Sequence, residues 1–253
     1  MDVNGLAAVV TGGGSGMGAA TGRALARSGA RVALLDINRD AAEAVAAEIG
    51  GLALACDVAS EDSATQAVAA AREANGPARI AVNCAGIATG GRVVGRDGPH
   101  DIGLFRRTIE INLVGTFNIM RLVAADMAAA EPLSSGERGL VVNTASVAAY
   151  DGQIGQVAYA ASKGGIVALT LPAARELARH GVRVMTIAPG LIATPMMAGL
   201  TDEVQQRLVA AMLFPKRPGR ADEFADLVLH IAANEMLNGE VIRLDGAVRL
   251  APK

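Results

Sequence analysis

Apolar runs of strand length alternate with longer helical patterns along most of the chain. Leu6–Val10, Arg31–Leu35, Leu52–Ala55, Ile80–Asn83, Leu140–Thr144, Val182–Ala188 and Val241–Leu244 read as strands. Gly18–Ser28, Ala41–Ile49, Ser63–Asn75, Leu104–Ala129, Tyr159–His180, Glu203–Met212 and Glu223–Asn234 read as helices. The strand segments are continuously apolar rather than alternating, as strands buried on both faces are. With right-handed crossovers, such alternation predicts one α/β domain over 1–253, built on a doubly wound, seven-stranded parallel sheet flanked by helices. Two segments break the pattern. Ala88–Gly103 holds five glycines and a proline, and Thr194–Pro218 carries Met196, Met197, Met212 and Phe214. Both read as mobile loops, and the methionines on the second suit either an apolar ligand or a cover for the core.

Composition narrows the picture. The chain has 253 residues, 51% hydrophobic and 2% aromatic, with no Trp, so the core must consist of Ala, Val, Leu, Ile and Met. The net charge is −2, with 23 basic and 25 acidic residues and no basic stripe, so no nucleic-acid partner is expected. No apolar run reaches about 18 uncharged residues, and Arg121 and Asp126 interrupt the most apolar helix, so no membrane span is expected. A first strand near Leu6 leaves no room for a leader, and the expected location is cytoplasmic. Cys56 and Cys84 end apolar runs and read as free thiols. With His100, His180 and His230 scattered, no metal site is expected.

Thr11–Gly18 reads TGGGSGMG between a strand and a helix. Gly12, Gly16 and Gly18, with Ser15 and Met17 between them, allow a tight turn against a ligand. A helix N-terminus presents free N–H groups that suit a pyrophosphate. The spacing is G-x-x-x-G-x-G, not the commonest dinucleotide fingerprint. Asp36 ends the second strand, 18 residues past Gly18. That is close to the position of the acid that binds the adenosine ribose, although a helix cap also uses such a residue. A carboxylate there repels a 2′-phosphate and favours NAD over NADP, with Arg39 as a softening charge. Asp57 and Val58 follow the third strand, and Asn83, Cys84, Ala85 and Gly86 close the fourth. Ligands bind outside the carboxyl ends of parallel strands, so both segments are candidate cofactor contacts.

Tyr159 and Lys163 are four residues apart on a helix and so share a face. An ammonium beside a phenol favours the phenolate and brings it toward use as a general acid/base. Ser146 closes the fifth strand 13 residues before Tyr159, with a hydroxyl able to hold a carbonyl or alcohol oxygen.

These landmarks, in this order, resemble the short-chain dehydrogenase/reductase family over nearly the whole chain. They are TGGGSGMG, Asp36, Asp57-Val58, NCAG at 83–86, Asn112, Ser146, YAASK at 159–163 and Pro189-Gly190. The resemblance implies a Rossmann fold and NAD-dependent, reversible oxidation of a secondary alcohol to a ketone. Longer matches, such as VVNTASVAAYDGQIGQVAYAASKGG and RVMTIAPGLIATP, resemble a homotetrameric, NAD-using branch that converts (S)-3-hydroxyacyl-CoA to 3-ketoacyl-CoA. By the family's scheme, Tyr159 takes the hydroxyl proton, Lys163 lowers its pKa and bonds the nicotinamide ribose, and Ser146 orients the substrate oxygen. Asn112 would support a water relay to Lys163. Ile192 and Thr194, after Pro189 and Gly190, would contact the nicotinamide amide, and Gln153 and Gln156 are substrate candidates. The two loops at 88–103 and 194–218 match less well, so the substrate is the open question. Steroid or other secondary-alcohol dehydrogenase, 3-ketoacyl-(acyl carrier protein) reductase and non-catalytic scaffold subunit are the alternatives.

Overall fold

The computed structural model of the chain describes residues 1–199, 201, 203, 209–210 and 212–252, and the side chains of all these except Met196. The expected helix Glu203–Met212 falls largely outside the described residues. The first half alternates strictly: β1 (Ala7–Thr11), α1 (Gly16–Arg27), β2 (Arg31–Asp36), α2 (Arg39–Ile49), β3 (Leu52–Ala55), α3 (Glu61–Asn75) and β4 (Ile80–Asn83). A short antiparallel hairpin follows, β5 (Val94–Gly95) and β6 (Gly98–Pro99), inside the segment expected to be a loop. Then come α4 (Ile102–Ile109), a π-helical turn at Glu110–Val114, α5 (Gly115–Ala129), β7 (Gly139–Thr144), α6 (Val157–Ala178), β8 (Val182–Pro189), α7 (Pro195–Ala198), α8 (Ala221–Ala233) and β9 (Val241–Leu244).

Seven strands form one sheet in the order β3-β2-β1-β4-β7-β8-β9, and every pairing is parallel. Each expected strand is found to within one residue at either end. Alternate residues of β1 explain why the strands read as continuously apolar. Ala8 and Val10 enter a core beneath α1, α2 and α8, whereas Val9 enters a second core beneath α3, α5 and α6. Strand order runs outward in opposite directions from the β1/β4 boundary, which opens a crevice at the carboxyl edge of the sheet.

Local chemistry sets the helix starts. Asn38 caps α2 by accepting from Ala41 N at 3.1 Å, and Ser60 caps α3 by accepting from Ser63 N. The single helix expected over Leu104–Ala129 begins at Ile102 and is broken at 110–114. There Thr116 donates its hydroxyl to the Asn112 carbonyl at 2.7 Å, and the Asn112 side chain is held by Ile87. π-turns of this kind are frequent at functional sites. Helix α6 is long and apolar enough to cross a membrane by length and composition, but Ile166 and Ala174 from it sit in the cores described above and beside β7.

The far end of the sheet is fixed by a buried ion pair. Arg183 on β8 donates to Glu137 at 2.6 Å and to the carbonyls of Ile231, Ala232, Asn234 and Leu237 at the end of α8. A cation there also complements the helix dipole. Both side chains are less than a tenth exposed, so removing Glu137 leaves Arg183 buried without its counter-charge. Glu137→Ala is expected to lower stability in urea unfolding by about 3 kcal/mol; a loss below about 1 kcal/mol would mean that solvent screens the pair.

Candidate active site

Two cavities open at the carboxyl edge of the sheet. The first, of about 310 Å³, is lined by Gly12, Ser15–Gly18, Asp36, Asp57, Val58 and Cys84–Gly86. The turn from β1 into α1 forms its floor. Gly12 has φ +65°, and a Cβ there would stand 2.9 Å from Ala85 N, so the turn lies flat against the end of β4. A Cβ on Gly18 would stand 2.1 Å from the Gly12 carbonyl, so α1 packs directly on the turn that precedes it. No side chain caps the first turn of α1, which leaves its N–H groups turned to the cavity as an anion-binding end.

Asp36 is held rigidly at the rim. One carboxylate oxygen accepts from Gly14 N and the other from Asn38 N, each at 2.9 Å. The Asp36 carboxylate therefore orders both the glycine turn and the start of α2 while it faces the cavity. Arg39, the charge expected to soften its preference, donates instead to Glu43 at 2.7 Å. Asp57 accepts from Ala59 N at 3.0 Å and Val58 is buried beside it.

The second cavity, of about 320 Å³, is lined by Ser146, Gln153, Gln156, Tyr159, Lys163, Pro189, Gly190 and Ile192. Met17, Cys84, Gly86, Ile87 and Thr194 border both, so the two form one continuous cleft. Ser146 lies two residues beyond the end of β7, and its oxygen accepts from Ala148 N at 3.1 Å. Lys163 lies one turn beyond Tyr159 on α6, with its ammonium donating to the Thr144 carbonyl at 2.7 Å and 5.9 Å from the Tyr159 ring centre. Burial lowers the Lys163 pKa from 10.5 to about 8. Burial likewise raises the Tyr159 phenol above its usual value of 10, opposed by its hydrogen bond with Ser146. The Lys163 ammonium is committed to the Thr144 carbonyl in the free protein. Both thiols are likewise raised by burial, Cys56 and Cys84 each to about 11, so both are neutral.

Other expected site residues are placed differently. Asn83 does not line the cleft. It is buried beneath it and donates to Asn143 at 2.9 Å, because the last residue of β4 points into the sheet–helix layer rather than over the edge. Asn112 is fully buried. It clamps Ile87 through both backbone groups, at 2.8 and 2.9 Å, and donates to Ser162 at 3.0 Å, one residue before Lys163. Gln153 and Gln156 reach the cavity, but Gln153 donates to the Ala251 carbonyl and Gln156 accepts from Gln153 N. Thr194 caps the four-residue α7 by accepting from Met197 N at 3.5 Å.

Sequence reasoning missed Thr11, whose buried hydroxyl accepts from both Cys84 N and Ala85 N at 3.1 Å and fastens β1 to β4 at the crevice. It also missed Ile37, Arg107, Ile111 and Leu250 along the walls. Of the apolar residues expected on the loop at 194–218, Met197 lines the cavity, Met212 is buried and Phe214 is exposed. Among the described residues no cluster of His, Cys, Asp and Glu is arranged to hold a metal.

A family model described as short chain dehydrogenase matches residues 6–205. The chain is 50% identical to 3-hydroxyacyl-CoA dehydrogenase type-2 of Bos taurus, covering 99% of this chain and 97% of that one. It is 48% identical to the protein of the same name from Drosophila melanogaster, over 96% and 97% of the two. The crystal structure of 3-hydroxyacyl-CoA dehydrogenase type-2 from Mycobacterium avium superposes with a TM-score of 0.94 at 47% identity, over 98% of each chain.

The Lys163 shift has a signed consequence. Between about pH 8 and 10.5 the unfolded chain holds a proton that the folded chain has released, so this group makes stability rise with pH across that window. In chemical denaturation of the free protein, wild type is expected to gain on Lys163→Met as pH is raised through it. A difference independent of pH would show that Lys163 is not desolvated.

Proposed function

The chain belongs to the short-chain dehydrogenase family, and from that premise we propose that it interconverts (S)-3-hydroxyacyl-CoA and 3-ketoacyl-CoA with NAD as the hydride carrier. It is an oxidoreductase acting on a CH–OH group. The observation that carries the proposal is the convergence of Ser146, Tyr159 and Lys163 on a cavity continuous with the one floored by the glycine turn.

The first cavity fits a dinucleotide. The uncapped start of α1 suits its pyrophosphate, and the Asp36 carboxylate suits ribose hydroxyls while opposing a 2′-phosphate. Arg39 pairs with Glu43 along the surface of α2, and the Asp36 carboxylate at the rim favours NAD over NADP. A dinucleotide held by the glycine turn and Asp36 would supply the acceptor for hydride from the alcohol carbon. Ser146 accepts from Ala148 N through a lone pair, so its O–H can donate a hydrogen bond to the substrate oxygen in place of the one it shares with Tyr159 in the free protein. In the reductive direction the Tyr159 phenol gives its proton to the substrate oxygen and the Lys163 ammonium steadies the phenolate left behind; in the oxidative direction that phenolate takes the hydroxyl proton back. Asn112 fixes the Ile87 backbone and Ser162, and so sets the wall and the helix turn on which Lys163 stands.

The names of the similar proteins support an acyl-CoA substrate, as does the apolar wall of the second cavity at Ile192, Met197 and Leu250. A homotetramer in the cytoplasm completes the proposal. The exposed apolar side chains of Phe117 on α5 and Leu171 on α6 support its first part.

The purified protein is expected to oxidise NADH with acetoacetyl-CoA and to turn over NADPH far more slowly. Equal use of NADPH would remove Asp36 as the selector, and inactivity toward the thioester would move the substrate to steroids or other secondary alcohols. Tyr159→Phe is expected to lower kcat by roughly 10²–10⁴ while NADH still binds. Turnover near the wild-type rate would take the proton-transfer role away from Tyr159.

A further inference from the structure

The C-terminal segment is strapped onto the loop that leads to the reaction centre. After β9 the chain turns sharply at Gly246 and Ala247, with φ +57° and +63°. Ala247 is the one non-glycine residue with positive φ among the described residues. A side chain in that region costs roughly 1–2 kcal/mol, so neighbouring contacts must impose it. Those contacts are present. Arg243 donates to Asp151 at 2.6 Å, to Asp245 at 2.7 Å and to the Val248 carbonyl at 3.1 Å, and its guanidinium lies 5.1 Å over the Tyr150 ring. Val248 is fully buried. Further on, Gln153 donates its amide to the Ala251 carbonyl and Ile154 donates its N–H to the Pro252 carbonyl, both at 2.9 Å.

The residue held between these anchors is Leu250. Its side chain lines the cavity that contains Ser146 and Tyr159 and does not line the cavity of the glycine turn. It therefore borders the substrate side of the cleft. A branched apolar side chain fixed by flanking backbone bonds presents a wall that does not yield to a longer ligand.

We infer that Leu250 is a specificity-determining residue that limits the carbon chain carried by the reacting alcohol or ketone, and that Gln153 is a positioning residue that holds it in place. The inference rests on alcohol oxidation at Ser146 and Tyr159. It makes Gln153 a brace for the pocket wall rather than a substrate ligand. Single methylene differences in such pockets change kcat/KM by about tenfold or more.

The test measures kcat/KM for two series, acetoacetyl-CoA against 3-ketooctanoyl-CoA and butanone against octan-2-one, with the NADH dissociation constant measured in parallel. Leu250→Ala is expected to raise the long-to-short ratio about tenfold and Leu250→Phe to lower it about tenfold, both with wild-type NADH affinity. Gln153→Ala is expected to move the ratio in the direction of Leu250→Ala, by loosening the strap. If Leu250→Phe does not fold, the rise in Leu250→Ala decides alone. A ratio unchanged in the Leu250 variants overturns the inference. Wild-type turnover of the ketones but not of the thioesters overturns the acyl-CoA reading alone, and the ketone ratios still decide the role of Leu250. Turnover of neither series overturns both.

Discussion

The hydrogen bond from the Lys163 ammonium to the Thr144 carbonyl is the contact on which the reaction centre depends. It joins the first turns of α6 to the last residue of β7 across 2.7 Å. Because Tyr159 stands one turn earlier on α6 and Ser146 two residues after Thr144, that single bond sets all three groups relative to one another. It also places a cation where almost no water reaches it. Burial pulls Lys163 down to about 8 and pushes Tyr159 up, so at neutral pH an ammonium stands beside a neutral phenol. A centre poised in this way responds strongly to any charge brought into the cleft, since little solvent is present to screen it.

The sheet supplies the rest of the frame. Seven parallel strands buried on both faces end at one edge, and the reversal of strand order between β1 and β4 leaves the crevice in which the glycine turn sits. Thr11 closes that crevice from below by holding the first two backbone N–H groups after β4. Asp36 closes it from the side by holding Gly14 and Asn38. The phosphate-binding end is thus built largely from backbone geometry. The reaction centre is built from buried side chains, and the substrate wall from long-range contacts of the C-terminal segment. Variation in the last of these leaves the chemistry of the first two untouched.

The parts legible in the sequence are those governed by local pattern. Continuous apolar runs located every strand of the sheet, because burial on both faces demands them. Asp36, Ser146, Tyr159 and Lys163 were legible because each sits at a strand end or at helical spacing from another. Asn83 was misplaced since a strand end alone does not say on which side its last side chain points. The π-turn at 110–114 was invisible because it depends on Asn112 reaching Ile87, 25 residues away. The strap was invisible for the same reason: Arg243 and Asp151 are 92 residues apart, and nothing in either local sequence announces the other. The hairpin at 94–99 is too short to carry an alternation. The protonation states were not legible at all, because spacing records that Lys163 neighbours Tyr159 but not how deeply both are buried.

Burial holds the Tyr159 phenol above its ordinary value in the free protein. With only two tyrosines in the chain, Tyr150 and Tyr159, carbon-13 labelling of the phenol ring gives two signals, and Tyr159→Phe assigns them. Titration of the free protein by NMR is predicted to show Tyr159 ionising above its usual value of 10. Ionisation of Tyr159 below that value would contradict the account.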